Sequence, residues 1–153
     1  MDVIFKLLPE AVWVAGVADK GAALEALATR FAKVYALDRA TVLEGLQERE
    51  ALGSTGFGRG VALPHARISG LKRPVAALLK LTAPIDFAAA DRMPVDLVIG
   101  LISPDNAGAT HLHALAALSR MVRDEDMHRA LTGAADTEML YALLTNASDR
   151  DAA

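Results

Sequence analysis

The chain has 153 residues, the usual size of one domain, with hydrophobic residues at 53% and charged residues at 23%, which excludes a disordered tail, a collagen-like repeat or a charged coiled coil. Cysteine is absent, so there is no disulfide framework, no thiolate nucleophile and no cysteine-held zinc or iron–sulfur centre. With 16 Lys+Arg against 19 Asp+Glu the net charge is -3, and the basic footprint of a nucleic-acid binder is missing.

Met1 to Glu10 lacks the charged, apolar and small-residue order of a secretory signal. The apolar runs, such as Val95 to Ile102, fall well short of the roughly 20 residues of a membrane-crossing helix. The expectation is a soluble, cytoplasmic protein forming one domain over residues 1–153, with no membrane insertion and no nucleic-acid partner. Val12 to Val17 is a short β-branched run and predicts an early strand. Asp19 then caps a helix whose apolar stripe, Leu24, Leu27, Phe31 and Val34, ends near Leu37. Asp38 caps a second helix with Val42, Leu43 and Leu46 on its inner side and a charged last turn, Glu48-Arg49-Glu50.

Gly53 to Gly60 holds four glycines in eight residues and is read as a loop rather than a regular element. Val61 to His65 is strand-like, and Pro64, which cannot donate to a ladder, places His65 at a strand terminus. Pro74 to Leu81 and Val95 to Ile102 are further strands. After Ser103-Pro104-Asp105-Asn106 the apolar spacing turns helical, and Asp124 and Asp136 cap shorter helices, Glu125 to Leu131 and Thr137 to Leu144, with fraying from Ala147. The predicted fold class is α/β, a single-domain sandwich with helices packed on a mostly central sheet.

Four histidines could carry chemistry. His65 gains most from its context, because it follows a glycine-rich loop and is flanked by Arg59 and Arg67. His111 falls in the first turn of a helix, where the dipole disfavours a positive charge and keeps the imidazole neutral. His113 lies two residues on and does not share its helix face, so no zinc site is expected from that pair. His128, in a short polar helix, reads as an ordinary packed or solvated residue. The glycine loop completes neither a P-loop nor a dinucleotide fingerprint. It reads either as an anion-accepting concavity of backbone N–H groups or as a long turn needing positive φ. An imidazole with a free lone pair, beside such a concavity and several arginines, suits a phosphoryl group: the nitrogen can attack phosphorus in line and the guanidinium fork fits its oxygens.

From Arg49 the sequence runs Arg-Glu-Ala-Leu-Gly-Ser-Thr-Gly-Phe-Gly-Arg-Gly-Val-Ala-Leu-Pro-His-Ala-Arg to Arg67. With Pro84-Ile85-Asp86-Phe87, Pro94-Val95-Asp96-Leu97 and Thr110 to Ser119, this resembles the enzyme IIA proteins of the bacterial phosphotransferase system. The Gly-Ser-Thr-Gly stretch is most similar to the nitrogen-regulatory branch of the fructose/mannitol-type group. The resemblance implies an α/β fold with a mixed central β-sheet flanked by helices, and a phosphohistidine relay protein in which His65 is the phosphorylated nucleophile, reacting through Nε2. His111 would hydrogen-bond the phosphoryl group or hold the imidazole, Arg49 would stabilise charge, and Arg67 would support it. Gly53, Ser54, Thr55, Gly56, Gly58 and Gly60 would form the phosphate loop. Ala66 stands where many relatives have glycine, and Phe57 replaces a commoner aliphatic residue. No cofactor or metal is implied, the phosphoryl group being carried covalently.

The implied donor is a small histidine-phosphorylated phosphocarrier, docking on an apolar ring made by Phe57, Leu63 and the first turns of the helix after Ala109. Downstream, the resemblance implies regulatory targets such as potassium-transport regulators or sensor kinases. Two other readings stay open: a sugar-transport component of fructose or mannitol type that passes the phosphate to a IIB domain, and a binding module without phosphotransfer. Residue spacing leaves Arg59 unplaced relative to the site.

Overall fold

Two runs, Val75–Ile85 and Val95–Pro104, are apolar at most positions on both alternating faces, the pattern of strands covered on both sides. They form the long central strands of the computed structural model, which describes residues 4–152. In chain order the elements are β1 (Val12–Ala15), α1 (Lys20–Tyr35), α2 (Arg39–Ala51), β2 (Gly56–Gly58), β3 (Val61–Ala62), β4 (His65–Ile68), β5 (Val75–Ile85), β6 (Val95–Pro104), α3 (Ala109–Arg123), α4 (Glu125–Thr132) and α5 (Thr137–Ala152). The sheet runs β1-β5-β6-β3-β2, with β4 also pairing β6. β1 lies parallel to β5, β5 and β6 are antiparallel, and β3 and β4 both lie parallel to β6, so the six-stranded sheet is mixed and the five helices flank it.

All four predicted caps form. The side chains of Asp19, Asp38, Asp124 and Asp136 accept hydrogen bonds from the backbone N–H groups of Ala22, Thr41, Met127 and Met139 at 2.8–3.0 Å, satisfying donors the helix itself leaves orphaned. α1 seats its apolar stripe on the sheet at Gly100, where a Cβ atom would stand 2.9 Å from Phe31 Cε2.

Four expectations are corrected. β1 stops at Ala15 rather than Val17, and α5 continues to Ala152 instead of ending near Leu144. The glycine segment is partly regular: Gly56–Gly58 pairs antiparallel with Val61–Ala62 around a turn in which Arg59 (φ 57°) and Gly60 (φ 83°) are both left-handed, the geometry that matches hairpin twist. Arg59 tolerates that conformation because its N–H is tied to the Asp91 carboxylate at 2.8 Å. Lastly, His65 opens a strand instead of closing one. Leu63 N–H turns aside to the Thr55 carbonyl, Pro64 has no N–H to give, and the Pro64 carbonyl accepts from Leu101 N–H, so the chain breaks stride and resumes on the same edge of β6 as β4.

Candidate functional site

The interruption at Leu63-Pro64 orients His65. Its Nδ1 lies 2.8 Å from the Leu63 carbonyl, which can only accept, so Nδ1 carries the hydrogen and Nε2 the lone pair. Arg49, in the last turn of α2, donates from Nε to that same Nε2 at 3.3 Å and from Nη1 to the Gly53 carbonyl at 2.7 Å. The two bonds to His65 agree on one tautomer. Burial holds the His65 pKa below the usual imidazole value, with Arg49 and Arg67 adding to the effect while the Leu63 carbonyl and Glu50 oppose it.

His111 stands in the first turn of α3, its ring centroid 5.7 Å from that of His65. It is only 5% exposed, and its Nδ1 lies 2.6 Å from Oγ of the fully buried Ser103 at the end of β6. Desolvation, then the charge of Arg67 and the neighbouring His65, push its pKa down to about 4, so this imidazole too is neutral. Arg67 is exposed on β4 one position beyond Ala66, and its register partner on β6 is Ser103. Among the described residues its guanidinium has no hydrogen-bond or ion-pair partner. His65, His111, Arg49 and Arg67 line one cavity of about 320 Å³, closed by Gly45, Glu48 and Ala66 and edged by Leu52.

The residues of the glycine segment do not line that cavity. Thr55 N–H and hydroxyl both bond the Glu50 carboxylate, which also pairs with Lys20 at 2.6 Å. Gly56 N–H bonds Ser54 Oγ, and Ser54 donates to the Phe87 carbonyl. The N–H groups of Thr55 and Gly56 and the hydroxyls of Ser54 and Thr55 are therefore engaged within the protein, and the segment's contact with the site is the Gly53 carbonyl that steadies Arg49. Arg59 lies apart, its guanidinium facing Glu125 at 3.8 Å and its carbonyl accepting from His128 Nε2 at 2.6 Å. His113 is exposed on α3.

The expected apolar ring is composed differently. Leu63 is buried in the core, and Phe57 lies under the Arg123 guanidinium at the C-terminal end of α3, about 18 Å along that helix from His111. Leu52, 85% exposed, edges the cavity, and Leu112, 61% exposed, follows His111 in the first turn of α3, the helix start that the sequence already offered. Sequence reasoning also missed Ser103 and Glu50. The Ser103 partner is eight residues away across a strand end and a helix start, a closeness no local pattern encodes, whereas Glu50 beside Arg49 at a helix end was visible as a charged turn but not as a brace for the loop. Among the described residues no group of three or more metal-ligating side chains gathers.

Residues 7–147 match the model of the family described as phosphoenolpyruvate-dependent sugar phosphotransferase system, EIIA 2. The chain is 39% identical over 145 residues to a nitrogen regulatory protein of Bradyrhizobium diazoefficiens, covering 94% of this chain and 95% of that one. It is 35% identical over 107 residues to a fructose-specific EIIA component of Haloferax volcanii, covering 70% of each. Its fold superposes on the crystal structure of the nitrogen regulatory protein IIA-Ntr of Neisseria meningitidis with a TM-score of 0.83 at 32% identity, covering 90% and 95% of the two chains.

Proposed function

This chain belongs to the EIIA 2 family of the phosphoenolpyruvate-dependent sugar phosphotransferase system, and we propose that it accepts a phosphoryl group on His65 Nε2 from a small histidine-phosphorylated carrier protein. The observation that carries this reading is the tautomer: Nδ1–H is tied to the Leu63 carbonyl, leaving the Nε2 lone pair toward a cavity lined by two arginines. In the transfer that lone pair forms an N–P bond as the donor's N–P bond breaks, and the bonding electrons return to the donor imidazole. Catalysis of such a step is positioning plus stabilisation of charge on the phosphoryl oxygens. Arg49 and Arg67 supply that charge. Ser103 would donate its hydroxyl hydrogen to His111 Nδ1, leaving His111 Nε2–H to donate to a phosphoryl oxygen. The glycine segment contributes by fixing Arg49 through Gly53. No cofactor enters the step, since the group is held covalently on His65.

Leu52 and Leu112 form the apolar margin on which the carrier docks. Relatives named nitrogen regulatory protein support a regulatory role; in this reading the phosphorylation state of His65 governs binding to targets such as potassium-transport regulators or sensor kinases. The fructose-specific relative supports a second reading, onward transfer to a IIB protein. Intact mass after incubation with phosphoenolpyruvate, enzyme I and the carrier, handled at neutral to alkaline pH, tests the proposal. One phosphoryl group gained by the wild type and lost in His65→Ala is expected; no gain in a folded wild type with a working carrier would leave a binding module without phosphotransfer. Rapid discharge on adding a IIB protein would select the transport reading.

A further inference from the structure

A second cavity, of about 640 Å³, lies at the same end of the sheet as His65 but across two strands. Register places Ala66 opposite Ile102, Ile102 opposite Val75, and Val75 opposite Lys6. At about 4.8 Å per strand step, Lys6 stands roughly 15 Å from β4. The volume falls within the range of small-molecule sites.

Its lining combines charge and apolar surface. Three cations take part, Lys6, Lys72 and Arg73, the last two from the segment that connects β4 to β5. Among the described residues no carboxylate lines the cavity, and none of these three side chains has a hydrogen-bond or ion-pair partner. Three like charges facing one space in a protein of net charge -3 create a local positive potential that an anion relieves. Leu8, Val34, Leu71 and Val75 supply its apolar lining. Tyr35 is already engaged, its hydroxyl donating to the Ala76 carbonyl at 2.7 Å and accepting from Leu8 N–H at 3.0 Å. The phenol therefore stiffens the floor and leaves the cations as the available polar groups. The comparably large cavity near α4 differs, because Arg59 and Arg129 share its lining with Asp96 and Glu125, and Arg59 pairs with Glu125.

We propose that this cavity binds a small phosphate ester, with its phosphoryl oxygens among Lys6, Lys72 and Arg73 and its apolar body against Leu8, Val34, Leu71 and Val75. A dianion matches the three cations better than a single carboxylate, and Arg73 offers the planar fork that phosphate oxygens accept. The assignment is independent of the chemistry proposed for His65.

Amide shifts of the isotope-labelled full chain, titrated separately with phenyl phosphate, inorganic phosphate and phenol, test it. Saturable shifts at Lys6, Tyr35, Lys72 and Arg73 are expected, with phenyl phosphate bound at least about ten-fold more tightly than inorganic phosphate because its ring covers the apolar lining. Lys72→Ala and Arg73→Ala should each weaken binding about three- to ten-fold, whereas Lys33→Ala, an exposed α1 cation outside the cavity, and His65→Ala should not. No saturation below about 10 mM, equal affinity for phosphate and phenyl phosphate, or shifts that centre on His65 and vanish in His65→Ala would each overturn the proposal.

Discussion

His65 Nε2 must be unprotonated to attack phosphorus, and burial already holds its pKa below 6.5. Phosphoryl uptake should therefore stay level as pH falls from 8 to about 6.5 and decline only below that value. Initial rates measured between pH 5 and 8 check this, and a midpoint at or above 6.5 would contradict the burial argument. His111 makes a separate prediction about stability. Its pKa is about 4 in the folded protein and near 6.5 when unfolded. Above pH 6.5 both states are neutral there; between 6.5 and 4 the unfolded chain binds the proton first, so folding stability falls with pH; below 4 the difference stops growing. A difference of that size is on the order of 3 kcal/mol. Urea unfolding of wild type and His111→Gln should show their stability difference changing across that window in the direction that costs the wild type. Ser103→Ala removes the partner of His111 Nδ1 in a fully buried setting, and a loss of about 1–3 kcal/mol with slower phosphoryl uptake is expected from denaturation and rate measurements.

At the scale of elements, the site depends on how closely α2 lies on β4, since one carries Arg49 and the other His65. The contact is made by two small residues: a Cβ on Gly45 would stand 3.1 Å from Ala66 Cβ. Gly45 and Ala66 thus allow the approach that brings the guanidinium to the imidazole at 3.3 Å. Gly45→Val should push α2 outward, costing about 1–3 kcal/mol by overpacking and slowing phosphoryl uptake more than Ala66→Gly does. Thermal unfolding and uptake rates on both variants decide it; unchanged uptake in a destabilised Gly45→Val would show that α2 relaxes without moving Arg49. Helices were the most legible elements in the sequence, because an aspartate cap and a 3.6-residue stripe are local signals. The glycine segment was not legible as a hairpin, since a strand of Gly-Phe-Gly exists only through its pairing with Val61–Ala62 and through the Asp91 carboxylate from 32 residues away.

For the whole molecule, His65 and His111 meet because β4 and the start of α3 lie at one end of β6, where Arg67 pairs with Ser103 and Ser103 holds His111. Leu52, which edges the cavity, and Leu112, next to His111 in the chain, are both exposed. Replacing both with glutamate should weaken docking of the phosphorylated carrier at least about ten-fold while leaving the melting temperature nearly unchanged, because neither side chain is in the core. Titration of the carrier against the double variant, alongside thermal unfolding, measures the two effects. Residue order alone determined the α/β class, the four capped helix starts, the absence of thiol chemistry and the long, specific motif that singles out His65 as the candidate nucleophile. Those features are written within a turn or two of chain, or in a contiguous run of residues. Only the tertiary structure decided the Leu63 carbonyl that fixes the His65 tautomer, the burial of His111 behind Ser103, the engagement of the glycine segment with Glu50 and Asp91, and the exposure of Leu52 at the cavity while Leu63 is buried in the core. Each of these depends on burial or on a partner brought in by the sheet, and neither quantity exists until the strands have paired.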